Sequence, residues 1–397
     1  MKSDMLHTPD GVRDIYNGEC KRKLLIQERL HQVFLRYGYQ DIQTPTFEFF
    51  DIFSSEIGTT PSRDLYKFFD KEGNTLVLRP DFTPSVARSA AKYYMDEEAP
   101  IRLCYMGNTF VNYTDYKGRL KESTQCGVEF MGDGSVYADA ELLAMAVEAL
   151  KSCGLYEFRI SVGHAQYISS LLAAAGVSDE DAAEIREFLS NKNFFGVEEL
   201  IDHIPMPESL RKLFAFLGSF NVDEEALQEA ISYAADYPAI KDSLNRLLEL
   251  QQCIKLYGID KYVSIEPGIV SAYTYYTGMV FYGYTFGTGE AIVKGGRYDH
   301  LLNYFGKNAP AIGFGIVVDQ LLSAMSYQNI PIDLSENMAL LVFAPSKSKE
   351  AIKKASLLRG QGMYVHTMVR DVAKSRDYYD QYAQSRNISR VEFMDGE

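Results

Sequence analysis

Apolar positions recur at helical spacing over residues 20–37 (CKRKLLIQERLHQVFLRY), and Gly38 follows them. That period predicts an amphipathic helix closed by a glycine in the left-handed region. The next stretch, 38–50, reads as a strand interrupted by Pro45. Further strands are predicted at 75–79, 101–106, 125–131, 157–162, 278–284 and 311–315, and helices at 82–95, 137–152 and 316–326. Strands adjacent in sequence, with helices in separate blocks, predict an α+β domain built on an antiparallel sheet flanked by helices. Between about 165 and 260 the pattern changes to successive amphipathic helices, as expected of a helical insertion. A polar, Pro-containing boundary lies at about 329–337 (NIPIDLSEN). Beyond it the alternation strand 339–344, helix 347–359, strand 363–368, helix 373–385, strand 390–394 predicts a small α/β unit. The domains expected are therefore 1–328, with the insertion inside it, and 329–397.

Composition narrows the functional classes. With 397 residues and 46% apolar content, the chain can bury a large core. Its formal net charge of −14 argues against nucleic-acid gripping as the main task, because phosphate neutralisation requires a basic face. Cys20, Cys104, Cys126, Cys153 and Cys253 are scattered, odd in number and without a CxxC pair, so reduced thiols are expected rather than disulfides or a structural metal. No apolar run approaches a membrane span, and the polar stretch Met1–Asp14 lacks a signal-peptide core. A cytoplasmic protein is expected. The chain has 28 Tyr and 23 Phe but no Trp, which supplies phenolic hydroxyls for core or pocket.

Four stretches in order carry a resemblance: HTPDGVRDI (7–15) with GYQDIQTPTFE (38–48); LVLRPDFTPSVAR (76–88); RLCYMGNTFVNYTDYKGRLKESTQCGVEFMG (102–132); and the run from Ile269 to Leu302, containing SAYTYYTGMVF and KGGRYDHLL, with AIGFGIVVDQLL (311–322). Together they resemble the histidyl-tRNA synthetases, a class II family, over about 1–325. The resemblance implies a class II synthetase-like fold with a C-terminal unit shortened relative to the family's anticodon-binding domain. GYQDIQTPTFE lies along motif 1, the dimer-forming element.

The resemblance also implies an active site. Amino-acid activation places negative charge on a phosphoryl centre, which fixed cations must stabilise. The family's motif 2 arginine falls at Val111, beside Tyr113; its histidine-specific arginine falls at Ser271; its motif 3 arginine falls at Gln320, after Asp319. No synthetase activity is expected, and no catalytic residue. Arg102, Arg119 and Arg297 remain as candidates for an anion site, or as ordinary ion-paired arginines. The amino-acid pocket is retained in outline. Asp81 matches the carboxylate that grips the α-ammonium, one methylene shorter than the family's, with Thr83 two residues on. Gln125 and Glu129 match the pair that holds the amino group and imidazole, and strand alternation sets them on one face with Gly127 between, leaving room for a ligand. Tyr105, Tyr275 and Tyr276 match pocket phenols, and Gly295 and Gly296 match a turn that lets backbone approach a ligand.

A histidine-binding frame without activation chemistry resembles the non-catalytic paralogues of these synthetases, the regulatory subunits of short-form ATP phosphoribosyltransferase. That resemblance implies partnership with the catalytic chain, homodimers within a hetero-octamer of four regulatory and four catalytic chains, feedback by L-histidine in histidine biosynthesis, and no cofactor, metal, tRNA or membrane partner. Histidine is expected to bridge Glu129, Gln125 and the tyrosines and to order a loop such as 112–122. The alternatives are a divergent active synthetase, a histidine-sensing scaffold for another partner, or a related ligase using a different amino acid.

Overall fold

The computed structural model describes residues 6–53, 60–113, 119–271, 275–334 and 337–395. It divides into two compact units, Met1–Pro331 and Ile332–Glu397.

The first unit opens on α1 (Asn17–Arg36), whose buried stripe is Ile26, Leu30, Val33 and Phe34. The helix stops as its sequence dictates. Gly38 takes φ +81°, its N–H bonds the Leu35 carbonyl at 3.0 Å, and the Tyr39 N–H bonds that of Phe34 at 3.2 Å. These two bonds satisfy carbonyls that the helix end would otherwise orphan. The stretch around Pro45 divides into β1 (Gln40–Asp41) and β2 (Phe47–Phe49). β3 (Lys67–Phe69) and β4 (Thr75–Leu78) join β2 in a small antiparallel sheet of order β2-β4-β3. α2 (Thr83–Tyr93), with Pro84 in its first turn, precedes the long hairpin β5 (Ile101–Phe110) and β6 (Glu122–Met131).

α3 (Val136–Ser152) is capped by Ser135, whose hydroxyl accepts from the Ala138 N–H, and it is buried on nearly all sides. β7 (Phe158–His164) leads into the helical insertion: α4 (Ala165–Ala174), α5 (Asp179–Ser190), α6 (Phe194–Asp202), α7 (Glu208–Phe216), α8 (Glu224–Tyr233) and α9 (Pro238–Leu256). On α9 the buried residues Ile240, Leu244, Leu247, Leu250 and Ile254 follow the helical period and face the body of the unit. β8 (Val263–Ile265), β9 (Met279–Thr285), β10 (Val293–Arg297) and β11 (Ala311–Val317) complete the main sheet, and α10 (Val318–Tyr327) closes the unit. The sheet order is β1-β5-β6-β11-β10-β9-β7-β8. It is antiparallel through its centre, as the sequence predicts, and parallel at both edges, where β1 pairs β5 and β8 pairs β7.

β3, β8 and β10 have no counterpart among the predicted strands. β3 and β8 are three residues each, too short for alternation to register. β10 carries Gly295 and Gly296, so the turn expected there is instead an interior strand, held by pairing with β9 on one side and β11 on the other.

The second unit contains β12 (Met338–Phe343), α11 (Ser348–Gly360), β13 (Tyr364–Val369), α12 (Arg376–Ser385) and β14 (Arg390–Met394), in a parallel sheet of order β13-β12-β14. Alternate residues of the central strand serve its two faces: Leu340 and Val342 pack on Tyr379 and Ala383, and Leu341 on Ala355. All five cysteines are free. No helix among the described residues is long and apolar enough to cross a membrane.

Candidate functional site

One face of the main sheet builds the site. Register places Tyr105 opposite Gly127, Gly127 opposite Gly315, and Gly315 opposite Lys294. The next row runs Leu103, Glu129, Gly313, Gly296. Side chains directly across a sheet share a face, so this surface is floored by glycines between the polar groups of β5, β6 and β10. The space they leave is already filled by neighbours. A Cβ at Gly127 would stand 2.4 Å from the Tyr105 hydroxyl, and one at Gly313 would stand 1.8 Å from a Glu129 carboxylate oxygen. The room expected at Gly127 for a ligand therefore belongs to Tyr105. A Cβ at Gly296 would meet the Tyr276 ring at 2.8 Å, and one at Gly295 would meet Phe281 at 2.5 Å. Neither glycine is among the residues lining the two cavities of this site; they admit neighbouring rings rather than a ligand's backbone approach.

Over this floor lies a small cavity of about 30 Å³, lined by Asp81, Thr83, Tyr105, Gln125, Tyr275, Tyr276, Lys294 and Tyr298 together with Gly313–Gly315 and Val317. Six of the nine sequence-derived pocket residues are among them. Tyr105 is fixed from behind: Phe82 stacks on it at 4.3 Å, and the Arg79 guanidinium lies 4.1 Å from the Phe82 ring. Tyr275 and Tyr276 lie ring to ring at 4.7 Å, and Tyr298 meets Tyr275 edge-on at 5.8 Å. Asp81 accepts a hydrogen bond from the Phe82 N–H at 2.6 Å.

Glu129 lies behind this lining, fully buried, not on it. The Thr83 hydroxyl donates to its Oε1 at 2.8 Å and Tyr105 to the same oxygen at 3.4 Å; Tyr298 donates to Oε2. Burial pushes its carboxyl up to about 8 against the stabilising pull of those hydroxyls. Burial likewise holds the Tyr105 and Tyr298 phenols well above their ordinary range. Native Glu129 thus keeps a proton that the unfolded chain releases near 4.5. Where the native state binds more protons, stability falls as pH rises, here from about 4.5 to about 8. Glu129→Gln is expected to lose this dependence. Its denaturant midpoint, compared with wild type, should gain progressively between pH 5 and pH 8.5; a constant difference across that range would contradict a buried proton.

A second cavity of about 230 Å³ adjoins the first and shares Asp81, Gln125, Lys294 and Val317 with it. Its wall includes Val111, Tyr113 and Gln320, and four carboxylates, Asp64, Asp81, Glu290 and Asp319, against two cations, Arg119 and Lys294. Arg119 Nε is 2.5 Å from Glu290, and Asp319 is held by Lys23 Nζ at 2.7 Å and the Thr124 N–H at 2.7 Å. Ser271 accepts from the Tyr282 hydroxyl at 3.2 Å.

Of the three candidate anion-site arginines, only Arg119 reaches this cleft. Arg102 pairs with Glu141 at 3.0 Å and lies 4.0 Å from the Phe130 ring. Arg297 is buried against Asp139, with Nε and Nη2 at 2.8 and 2.6 Å, and Asp139 also takes Arg246 of α9 at 2.6 Å. Both are structural ion pairs. The potential metal ligands that cluster among the described residues are His31, Asp41 and Cys104. Burial and the Asp41 charge raise the Cys104 thiol to about 12, and alternation turns it to the sheet face opposite Tyr105. Sequence reasoning missed Lys294 and Tyr298. Both stand in the KGGRYD stretch, and reading it as a strand would have put Lys294 on the Gly296 side of the sheet.

This arrangement of sheet, motif stretches and glycine-floored cleft is that of a class II aminoacyl-tRNA-synthetase-like protein. The profile described as histidyl-tRNA synthetase matches residues 11–321. The chain is 38% identical to the ATP phosphoribosyltransferase regulatory subunit of Ruminiclostridium cellulolyticum over 98% of its length and 92% of the relative's, and 35% identical to that of Acetivibrio thermocellus over 94% and 90%. A crystal structure from Bacillus halodurans, described as an ATP phosphoribosyltransferase regulatory subunit/histidyl-tRNA synthetase, superposes with a TM-score of 0.87 at 31% identity, covering 99% of each chain. The fold is shared with histidyl-tRNA synthetase from Nostoc at a TM-score of 0.81. The chain belongs to the histidyl-tRNA synthetase family, in its branch of ATP phosphoribosyltransferase regulatory subunits.

Proposed function

We propose that the chain is the non-catalytic regulatory subunit of a short-form ATP phosphoribosyltransferase, needed for the first step of histidine biosynthesis and for its inhibition by L-histidine. One observation carries the reading: the two halves of the cleft differ. The inner cavity keeps the polar set suited to an amino acid, namely Asp81, Thr83, Gln125 and four phenols. The outer cavity is lined by Val111 and Gln320, which on the motif resemblance stand at positions of family arginines, and its carboxylates outnumber its cations. Each lost transition-state donor costs about 3–4 kcal/mol, so three such losses, with Ser271 as the third, leave no useful activation.

Histidine is the effector on this reading. Its ammonium goes to Asp81 and Gln125, and its ring enters among the tyrosines above Glu129. The cavity holds only a few waters as shaped. A ring must therefore move the lining phenols, and that movement gives histidine different affinities for two states of the assembly, the condition for control. The assembly is a homodimer within a hetero-octamer. The exposed Phe47, Phe49 and Phe69 of the small sheet, beside the motif 1 stretch, support self-association through that region. The protein acts in the cytoplasm, without cofactor, metal or tRNA.

The test combines the purified chain with a short-form catalytic subunit. Phosphoribosyl-ATP formation is expected to depend on the chain and to fall when histidine is added, while histidine-dependent ATP–pyrophosphate exchange by the chain alone stays at background. Exchange above background would restore the synthetase reading. Stimulation without any histidine effect would make the pocket assignment wrong.

A further inference from the structure

Lys294 is the one cation lining the inner cavity among the described residues, and Asp81 is the one carboxylate. Both also line the outer cavity, so they stand where the two meet. Lys294 stands on β10 opposite Gly315, the one glycine of this row with room beside it: a Cβ there would lie 3.6 Å from Gln125 Oε1 and 3.7 Å from the Tyr105 hydroxyl. Among the described residues no hydrogen bond or ion pair engages its ammonium, although the side chain is half-buried. A half-desolvated cation without a partner is costly unless a ligand supplies the anion.

A free amino acid meets this arrangement with one ammonium and one carboxylate on the same carbon. With its side chain in the inner cavity, that carbon falls at the junction, between Asp81 and Lys294. On the motif resemblance the family's arginines do not serve here, because Val111, Ser271 and Gln320 stand at their positions. Phosphate fits poorly. The outer cavity has four carboxylates against two cations, and Arg119 is already taken by Glu290. We infer that Lys294 holds the α-carboxylate of the bound amino acid and makes the site selective for a free carboxylate over its amide. This rests on the histidine-site reading above.

The test is calorimetric titration of the full chain with L-histidine and with L-histidinamide, for wild type, Lys294→Met and Lys294→Arg. Wild type is expected to prefer L-histidine. In Lys294→Met, L-histidine binding is expected to weaken about 10- to 100-fold, the worth of a charge-assisted hydrogen bond, and the preference to collapse toward one. Histidinamide binding is expected to stay within about threefold, which also reports that the variant is folded. Lys294→Arg should restore most of the preference. If Lys294→Met keeps the wild-type preference, or loses both ligands equally, Lys294 does not hold the carboxylate. If wild type binds neither compound, the histidine-site reading fails and this inference with it.

Discussion

Asp139→Ala is expected to destabilise the first unit by about 3–5 kcal/mol, the cost of leaving buried charge without its partner. Asp139 is fully buried on α3 and holds two arginines from distant parts of the chain. Arg297 of β10 bonds Oδ1 at 2.6 Å, and Arg246 of α9 bonds Oδ2 at 2.6 Å. Arg297 is also buried, and its remaining bonds go to Asp299 at 3.2 Å and the Asp133 and Ser135 carbonyls at 3.1 and 3.5 Å. Removing the shared carboxylate strands one buried cation and one half-buried cation close together. Urea denaturation of the first unit, followed by tyrosine fluorescence, should show the loss as a lower midpoint. Arg246→Met breaks only the outer half of the network, and it should cost less because Arg297 keeps its partner. Equal costs would mean that Asp139 does not bridge them. Asp139 ties the helical insertion to the strand that presents Lys294, so the same variant should weaken any response to the amino acid.

The sequence makes some parts of this structure legible and hides others for physical reasons. α1 and its stop at Gly38 were readable because helix, cap and left-handed glycine are all local. The hairpin β5–β6 was readable because its strands are long and alternate. β10 was not, because two adjacent glycines remove the side chains that carry a strand pattern, and only pairing on both sides makes it one. Missing that strand also hid Lys294. At Gly127 the sequence showed a missing side chain but not what filled the space, and here it was the Tyr105 phenol from the next strand. Arg102 and Arg297 looked like possible anion ligands because Glu141 and Asp139 lie about 40 and 160 residues from them in sequence, beyond any local signal. The pocket positions Asp81, Thr83, Tyr105, Gln125, Tyr275 and Tyr276 came from motif resemblance, and the chain brings them to one cavity.

Glu129→Ala is expected to raise the histidine concentration needed for half-inhibition by about 30- to 150-fold, while the variant still stimulates the catalytic chain when histidine is absent. The magnitude, about 2–3 kcal/mol, is the cost of leaving buried hydrogen-bonding groups without their partner. The structure changes how the effect is reached. Thr83, Tyr105 and Tyr298 all converge on this carboxyl from the cavity wall, so Glu129 sets the positions of the hydroxyls that face a ligand. A ring that reaches Glu129 must displace one of them, and Tyr298 is the natural one to move because it alone occupies Oε2. Tyr298→Phe removes that competitor while keeping the ring, and should leave histidine inhibition intact or strengthen it. Inhibition curves for the two variants with the same catalytic chain decide the matter. If Glu129→Ala leaves the curve unchanged, histidine acts elsewhere. If Tyr298→Phe abolishes inhibition as Glu129→Ala does, the phenol itself is the ligand's partner and the carboxyl only holds it in place.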